Sequence, residues 1–435
     1  MNALGVIILC IIIFTVLTAS RRWALIAIMA GVLYLPQGQE VQILGLNLFA
    51  LRFIELFGAM RIVCRREFSI SRLNKLDRIL VFLYFYTTVV FLIRSHVDQT
   101  YQIGLAVDAF LCYFIFRGLI RDIDDLIGFL RLFPVIFAPY TAVVMIERFT
   151  HHNPFAILGG ADAGWLRDGK LRCYGTFRNP SILGTLGASF LPLYISLALT
   201  KSRRQIGGIG IGLSLLIVWA SNSGAPASCV AVVIAGWFCW ITRTHMRKIR
   251  RGIALGIVAL ACVMKAPIWY LPARLSDLTG GDGYHRSHLM DMAFQTLNKW
   301  WLVGMPLTET HDWFPYSLDT GAADMTNQYL SFGITAGLLA MVLFITLFIV
   351  AFKYLGATML TLRSKNEKKQ EIELLFWGLG VTFVMHAVNY LSITYFDQSY
   401  ALWFFVLAAI SSLCREYPDK KNMTGRNTTE PIFSS

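Results

Sequence analysis

Charge is what this sequence has least of. Of 435 residues, 15% are Asp, Glu, Lys or Arg, against about a quarter in ordinary soluble domains. Acidic residues are the scarcer kind, 26 against 39 basic. With 56% hydrophobic residues and a mean hydropathy of +0.57, the chain lacks the polar side chains to clothe a water-soluble globule. Its eight cysteines show no CxxC spacing. Cys10, Cys112, Cys229, Cys239 and Cys262 fall inside apolar runs, Cys64 and Cys414 just beyond such runs, and Cys173 in a polar stretch. That distribution suggests neither a disulfide framework nor a zinc site. The N-terminal run MNALGVIILCIIIFTVLTAS has no basic region ahead of it. It therefore reads as a first membrane span and not as a cleaved leader.

What is present is a series of apolar runs, many about 20 residues long, the length that crosses a bilayer as a helix. They are too long and too uniformly apolar for barrel strands. Candidate spans cover 3–19, 23–35, 44–60, 79–93, 104–120, 127–146, 181–200, 206–220, 225–241, 252–266, 329–351, 374–390 and 399–413. The expected fold is all-α: a polytopic membrane protein with about 12–13 transmembrane helices, of which 23–35 is the least secure for its shortness. The net charge of +13 reflects cationic loops and not a nucleic-acid partner. Basic clusters at Arg21-Arg22, 61–78, Arg117–Arg121, 201–204, 243–251 and 353–369 occupy every second connection. Read as cytoplasmic, they put both long polar loops, 147–180 and 267–328, on the outer side. The organisation predicted is helices over 1–266 with a functional loop at 147–180, a large loop at 267–328, helices over 329–414, and a disordered cytoplasmic tail at 415–435. The tail carries Asn422-Met-Thr and Asn427-Thr-Thr, glycosylation patterns without meaning on that side.

Three outer segments hold residue types suited to chemistry. The first loop ends in RCYGTFRNPSILGTLG. There Arg172, Arg178 and Asn179 precede Pro180, which suits the first turn of a helix. Guanidiniums beside a helix N-terminus fit a phosphate, or equally lipid headgroups. The short turn SNSGAP, with Ser223, suits close approach of a ligand or simply a tight hairpin. In the large loop, Met290, Ala293, Phe294, Leu297 and Trp301 mark one apolar helix face. Arg286 starts that helix as a candidate anion clamp. His285, His288 and Asp291 have a spacing that can ligate a metal, but no cluster of further ligands beyond Asp282 stands near them, so no metal is expected. Trp300 and Trp301 read as interfacial anchors. Asp324 and Asn327 stand at the exit of the loop, where Asp324 or Thr326 would cap the next helix. Among ionisable residues in or beside spans are Arg52, Glu55, Asp108 and Asp397. Arg52 either pairs with Glu55 or neutralises a lipid diphosphate.

Taken together these pieces resemble the superfamily of bacterial O-antigen ligases and polymerases. The resemblance runs through Arg172, Gly175, Thr176, Phe177, Asn179 and Pro180, then Ser221-Asn-Ser223. It continues through Arg286 to Gly304 and ends with Asn327, Tyr329, Leu330, Gly333 and Gly337. Two departures stand out: Gly224 follows the Ser-x-Ser where members often have Arg, and the His often found near the last motif is replaced by Asp324-Met-Thr. These favour the exopolysaccharide or capsule polymerase branch over lipopolysaccharide ligation.

The resemblance implies a glycosyltransferase of the bacterial inner membrane, active at its periplasmic face. It implies a glycan donor on undecaprenyl diphosphate, a glycan or lipid A-core acceptor, contact with membrane lipids, and other polysaccharide-assembly proteins as partners. No cofactor and no metal are implied, since fixed guanidiniums stabilise the leaving diphosphate. Arg172, Arg178 and Arg286 take that role; Asn179, Ser223, Asn327 and Arg52 complete the binding set. Asp324, His285 and Asp282, in that order, are candidates for the base. A transporter or flippase of a lipid-linked or anionic solute is the alternative, and a non-catalytic envelope scaffold a third.

Overall fold

A computed structural model describes residues 1–43, 46–95, 97–167, 169–271, 273–274, 283–362 and 367–414. Asp282 and the 415–435 tail lie outside the described residues.

The chain opens with α1 (Ala3–Thr18) and α2 (Arg21–Tyr34), then a short hairpin of β1 (Glu40–Ile43) and β2 (Leu46–Phe49). It continues with α3 (Ala50–Cys64), α4 (Lys75–Arg94), α5 (Gln99–Leu119), α6 (Ile123–Leu132) and α7 (Pro134–Thr150). A second hairpin, β3 (Trp165–Arg167) and β4 (Lys170–Arg172), precedes α8 (Pro180–Ala198), α9 (Arg204–Ser221), α10 (Gly224–Phe238) and α11 (Met246–Val263). The large loop holds α12 (Gly283–Gln295), α13 (Leu297–Trp300) and α14 (Ser317–Thr320). Last come α15 (Gln328–Ala336), α16 (Leu338–Leu362), α17 (Glu367–Asn389) and α18 (Tyr400–Leu413).

The architecture is helical, and its long helices are those of a membrane protein. Counting α6 and α7 as one continuous helix over Ile123–Thr150, seven described helices, or up to eight if α10 and α11 form one span bent by 94°, are long and apolar enough to cross a bilayer. The other apolar runs form shorter helices: 16 residues in α1, 14 in α2, 15 in α3 and 14 in α18. At about 1.5 Å per residue, 14 residues reach ~21 Å, short of a ~30 Å hydrocarbon layer. Part of the predicted 44–60 span is hairpin instead of helix.

α18 lies at the centre, with every residue from Ala401 to Ser411 buried. Phe405 packs on Phe116, Phe129 and Phe190, and Trp403 stacks on Phe383. At its C-terminal end Asn74 Nδ2 donates to Ser411 O at 3.0 Å, and Ser411 Oγ donates to the buried Asp77 at 2.8 Å. Asn74 and Asp77 also close a capping box on α4, so one pair of polar residues both starts a helix and anchors the central one.

Polar contacts gather at the two ends of the bundle. One end carries Arg21–Asp125, Arg61–Glu67, Arg117–Asp77 and Arg243–Glu373. The other carries both hairpins, the 151–179 loop, the α9–α10 turn, the large loop and the α17–α18 connection. These are tied together by Gln39 Nε2 to Leu158 O (2.7 Å), Cys173 N to Ala220 O (3.2 Å) and Gln328 N to Tyr390 O (2.9 Å).

Candidate functional site

The loop ahead of α8 is held from beneath. Glu147 is fully buried, and its carboxylate accepts from the N–H groups of Tyr174 (2.7 Å) and Gly175 (2.9 Å). Arg148, lying over the Trp219 ring, donates to Leu171 O at 2.5 Å. Asn153 Nδ2 donates to Gly175 O, and Thr176 Oγ1 to Leu33 O. Gly175 has φ +57°, and a Cβ there would come within 2.6 Å of the Tyr140 hydroxyl, so the turn requires glycine. Asn179 caps α8 by accepting from Ser181 N at 2.8 Å, and Pro180 occupies its first turn as the sequence predicts.

This frame presents Arg172. Its Nη2 donates to Ser223 Oγ at 3.1 Å and lies 3.5 Å from Ser181 Oγ; the two hydroxyls are 2.7 Å apart. Trp165 covers the guanidinium, 5.3 Å from ring centroid to carbon. Its buried Nε has no hydrogen-bond partner among the described residues. Burial, then the charges of Arg167 and Arg286, hold Arg172 below the usual guanidinium range. The cation thus sits desolvated beside other cations, an arrangement that an anion would relieve.

Arg286 lies in the first turn of α12, and its charge acts on both Arg172 and Cys229 of α10. The charge of Arg286, 114 residues further along the sequence, is therefore felt both at Arg172 and at Cys229 on α10. α12 is positioned by a small core of Leu289, Ala293, Trp300, Met305, Trp313, Phe314, Leu330 and Ile334. The inward face is Leu289, Ala293 and Trp300, with Met290 and Leu297 packed against the same core; of the predicted face, Phe294 and Trp301 instead lie outward, 46% and 50% exposed. α12 ends at Gln295 and α13 starts at Leu297, and Leu289, Ala293 and Trp300, at i, i+4 and i+11, keep one helical face across the break. Trp300 is likewise no interfacial anchor: it is wholly buried and donates to Ala293 O at 2.8 Å. The loop docks on α15 and α16 backbone to backbone, through Met305 N to Ile334 O and Leu338 N to Trp301 O, both 2.8 Å. Gly304 (φ +75°) and Gly337 (φ +85°) permit that approach; a Cβ on either would meet a carbonyl oxygen at 2.3 Å.

His285 Nε2 lies 2.8 Å from the Tyr316 hydroxyl, which accepts from Asp324 N–H at 3.1 Å. Two of the base candidates thus share one tyrosine. His288 instead faces Trp313 O, and Asp291 accepts from Trp269, Tyr270 and Gln295. The His285–His288–Asp291 spacing therefore points three ways. Asn327, and neither Asp324 nor Thr326, caps α15, accepting from Tyr329 N and Leu330 N.

Arg178 and Arg52 are engaged elsewhere. Arg178 forks onto Asp397 of the α17–α18 connection, with Gln37 Oε1 at 3.3 Å, and that hydrogen-bonded carboxylate holds its pKa above the ordinary value. Arg52 forks onto Asp108 at 2.8 and 2.9 Å, not onto Glu55, which accepts from Tyr400 at 2.8 Å. The i, i+3 spacing brings Arg52 and Glu55 to one face, but Asp108 on α5 offers the better fork.

Beneath Ser181 and Ser223 runs a polar column that sequence reasoning did not single out. His386 Nδ1 is 2.7 Å from the Tyr395 hydroxyl; Asn389 Nδ2 donates to Thr185 (2.8 Å) and Tyr395 (3.0 Å). All four are buried, and His386 Nε2 and Asn389 Oδ1 have no partner among the described residues. The signal was a histidine and an asparagine three residues apart inside an apolar run.

No family model matches the chain, and comparison with curated proteins finds no match.

Proposed function

We propose that the protein is an integral-membrane glycosyltransferase that polymerises or ligates glycans from an undecaprenyl diphosphate carrier. The observation that carries this reading is the buried Arg172, set on the hydroxyls of Ser181 and Ser223 with its Nε unpartnered among the described residues, within the field of Arg286 from the other long loop. In this proposal the donor diphosphate lies between the two arginines, in the outer leaflet of a bacterial inner membrane. The 267–328 loop covers it from the periplasmic side, and some 12–13 apolar helices surround it.

The acceptor hydroxyl attacks the anomeric carbon as the bond to the diphosphate oxygen breaks. The electron pair leaves with the diphosphate, whose growing charge the two guanidiniums stabilise without having to reorganise. Asp324, exposed beside Tyr316, takes the acceptor proton; His285, whose Nε2 meets the same tyrosine, is the second candidate. Arg178, held by Asp397, and Asn179, capping α8, orient the loop that bears Arg172. Asn327 does the same for the exit of the large loop.

Deleting the gene and restoring it with Arg286→Ala tests the reading. Loss of secreted polymer, or of O-chain on an intact lipid core, is expected while the variant stays in the membrane. Normal polymer from the variant sinks the clamp. The transporter alternative draws on the Arg52–Asp108 pair beside Glu55, charges set among helices. It predicts accumulation of the lipid-linked donor on the cytoplasmic side.

A further inference from the structure

The bundle end remote from Arg172 contains a second cationic feature, independent of the glycosyltransferase reading. An open cavity of about 520 Å³ is lined by Ser20, Arg21, Arg22, Arg61, Arg65, Glu67, Arg121 and Asp125. Five guanidiniums there face two carboxylates, and both carboxylates are already taken. Arg61, 1% exposed, forks onto Glu67 with two bonds of 2.9 Å and donates to Val16 O and Ala19 O, forming the floor. Asp125 is held by Arg21 at 3.0 Å and by Arg121 N–H at 3.2 Å. Among the described residues, Arg65 donates to carbonyls at the C-terminus of α1, those of Leu17, Thr18 and Ala19. Arg22, 48% exposed, stands 3.9 Å from Asp125. Asp122, beside the cavity, also pairs with Arg21 at 3.4 Å, so five guanidiniums against three carboxylates leave an excess of two positive charges around a concave floor.

We propose that this cavity binds a phosphate-bearing anion. Guanidiniums match phosphate oxygens in pairs, and a fixed excess of cationic charge in a recess attracts a dianion or a diester. Two sources carry such a group: the headgroup of an anionic lipid, since the recess lies at the depth where the apolar helices end, and a small phosphorylated solute, which would use the same guanidiniums.

The test uses the full chain purified in detergent, with native mass spectrometry and thermal unfolding as readouts. The probes are phosphatidylglycerol, phosphatidylcholine and inorganic phosphate, compared in the wild type and an Arg22→Gln/Arg65→Gln variant. Phosphatidylglycerol should be retained about tenfold better than phosphatidylcholine, and the variant should lose about that factor, the size of one charge-assisted contact. Protection by inorganic phosphate alone at submillimolar concentration would uphold the site and assign it to a solute. Equal retention of both lipids, with no phosphate effect and no difference in the variant, overturns the proposal. Should the double variant fold poorly, Arg22→Gln alone, at an exposed side chain, gives the same comparison.

Discussion

Arg172 and Ser223 join two loops through a single 3.1 Å hydrogen bond. The guanidinium comes from the strand before α8 and the hydroxyl from the turn before α10, so the bond fixes where a buried cation sits between two helix starts. If that cation stabilises a leaving diphosphate, Arg172→Ala and Arg286→Ala should each cut polymer formation by about 10²–10³, the usual loss for one preorganised electrostatic donor. Polymer quantified from membranes bearing equal amounts of each variant measures this. Asp324→Asn should cut it too, and a fully active Asp324→Asn passes the base role to His285.

Glu147→Gln keeps the shape of the buried side chain and one acceptor but removes the charge beneath Tyr174 and Gly175. Hydrogen bonds to charged groups contribute about 1.5–3 kcal/mol. The variant should unfold at lower temperature and bind donor less well. An unchanged melting temperature would show that the loop is held by Arg148 and Asn153 instead.

Arg178 and Asp397 should respond unequally to mutation. Arg178→Ala strands a carboxylate that is 5% exposed, whereas Asp397→Asn leaves a guanidinium that is 66% exposed and can turn to water. Asparagine also tolerates the positive φ of 54° at position 397. The first should cost up to about 3–5 kcal/mol and the second much less. Denaturant unfolding of both single variants and the double decides it; equal costs contradict the asymmetry.

Gly337→Ala places a Cβ 2.3 Å from Leu302 O at φ +85°. Strain of about 1–3 kcal/mol should release the large loop from α15 and α16 without unfolding the bundle. Limited proteolysis should then cut between 283 and 328 in the variant and spare the wild type.

Cys173 is fully buried, and burial pushes its thiol up to about 12. At pH 8 its thiolate is negligible, so a maleimide should leave Cys173 unmodified in the folded protein and label it after denaturation. A variant retaining Cys173 as its sole cysteine makes this readable by mass. Prompt labelling at pH 8 would mean that the loop opens.

Local signals were readable wherever local chemistry decides the outcome. Pro180 announces the start of α8, whereas the close approaches at Gly304 and Gly337 show only in the structure. Asn327 was harder, because Asp324, Thr326 and Asn327 can each cap a helix and only backbone geometry selects among them. The apolar face over 290–301 was legible only in part: Met290, Ala293 and Leu297 do pack on the small core, while Phe294 and Trp301, equally apolar in the sequence, lie outward. Run length did not separate membrane-crossing helices from short buried ones, since α18 is as apolar as a span yet has 14 residues. Partner choice was the least accessible. Arg52 met Asp108 and Arg178 met Asp397 across 56 and 219 residues, and a single sequence states which residues are charged, not which of them will touch.

The centrality of α18 has a consequence for biogenesis. The helix enclosed on all sides is the one the ribosome delivers after every other helix described here, and Ser411 must find Asn74 across 337 residues. Until it arrives, the earlier helices can gather only around an unfilled axis, with Asp77 and Arg178 awaiting Ser411 and Asp397. Assembly is thus closed by insertion of a keystone, and a nascent chain stalled before Tyr400 would present an incomplete bundle to membrane quality control.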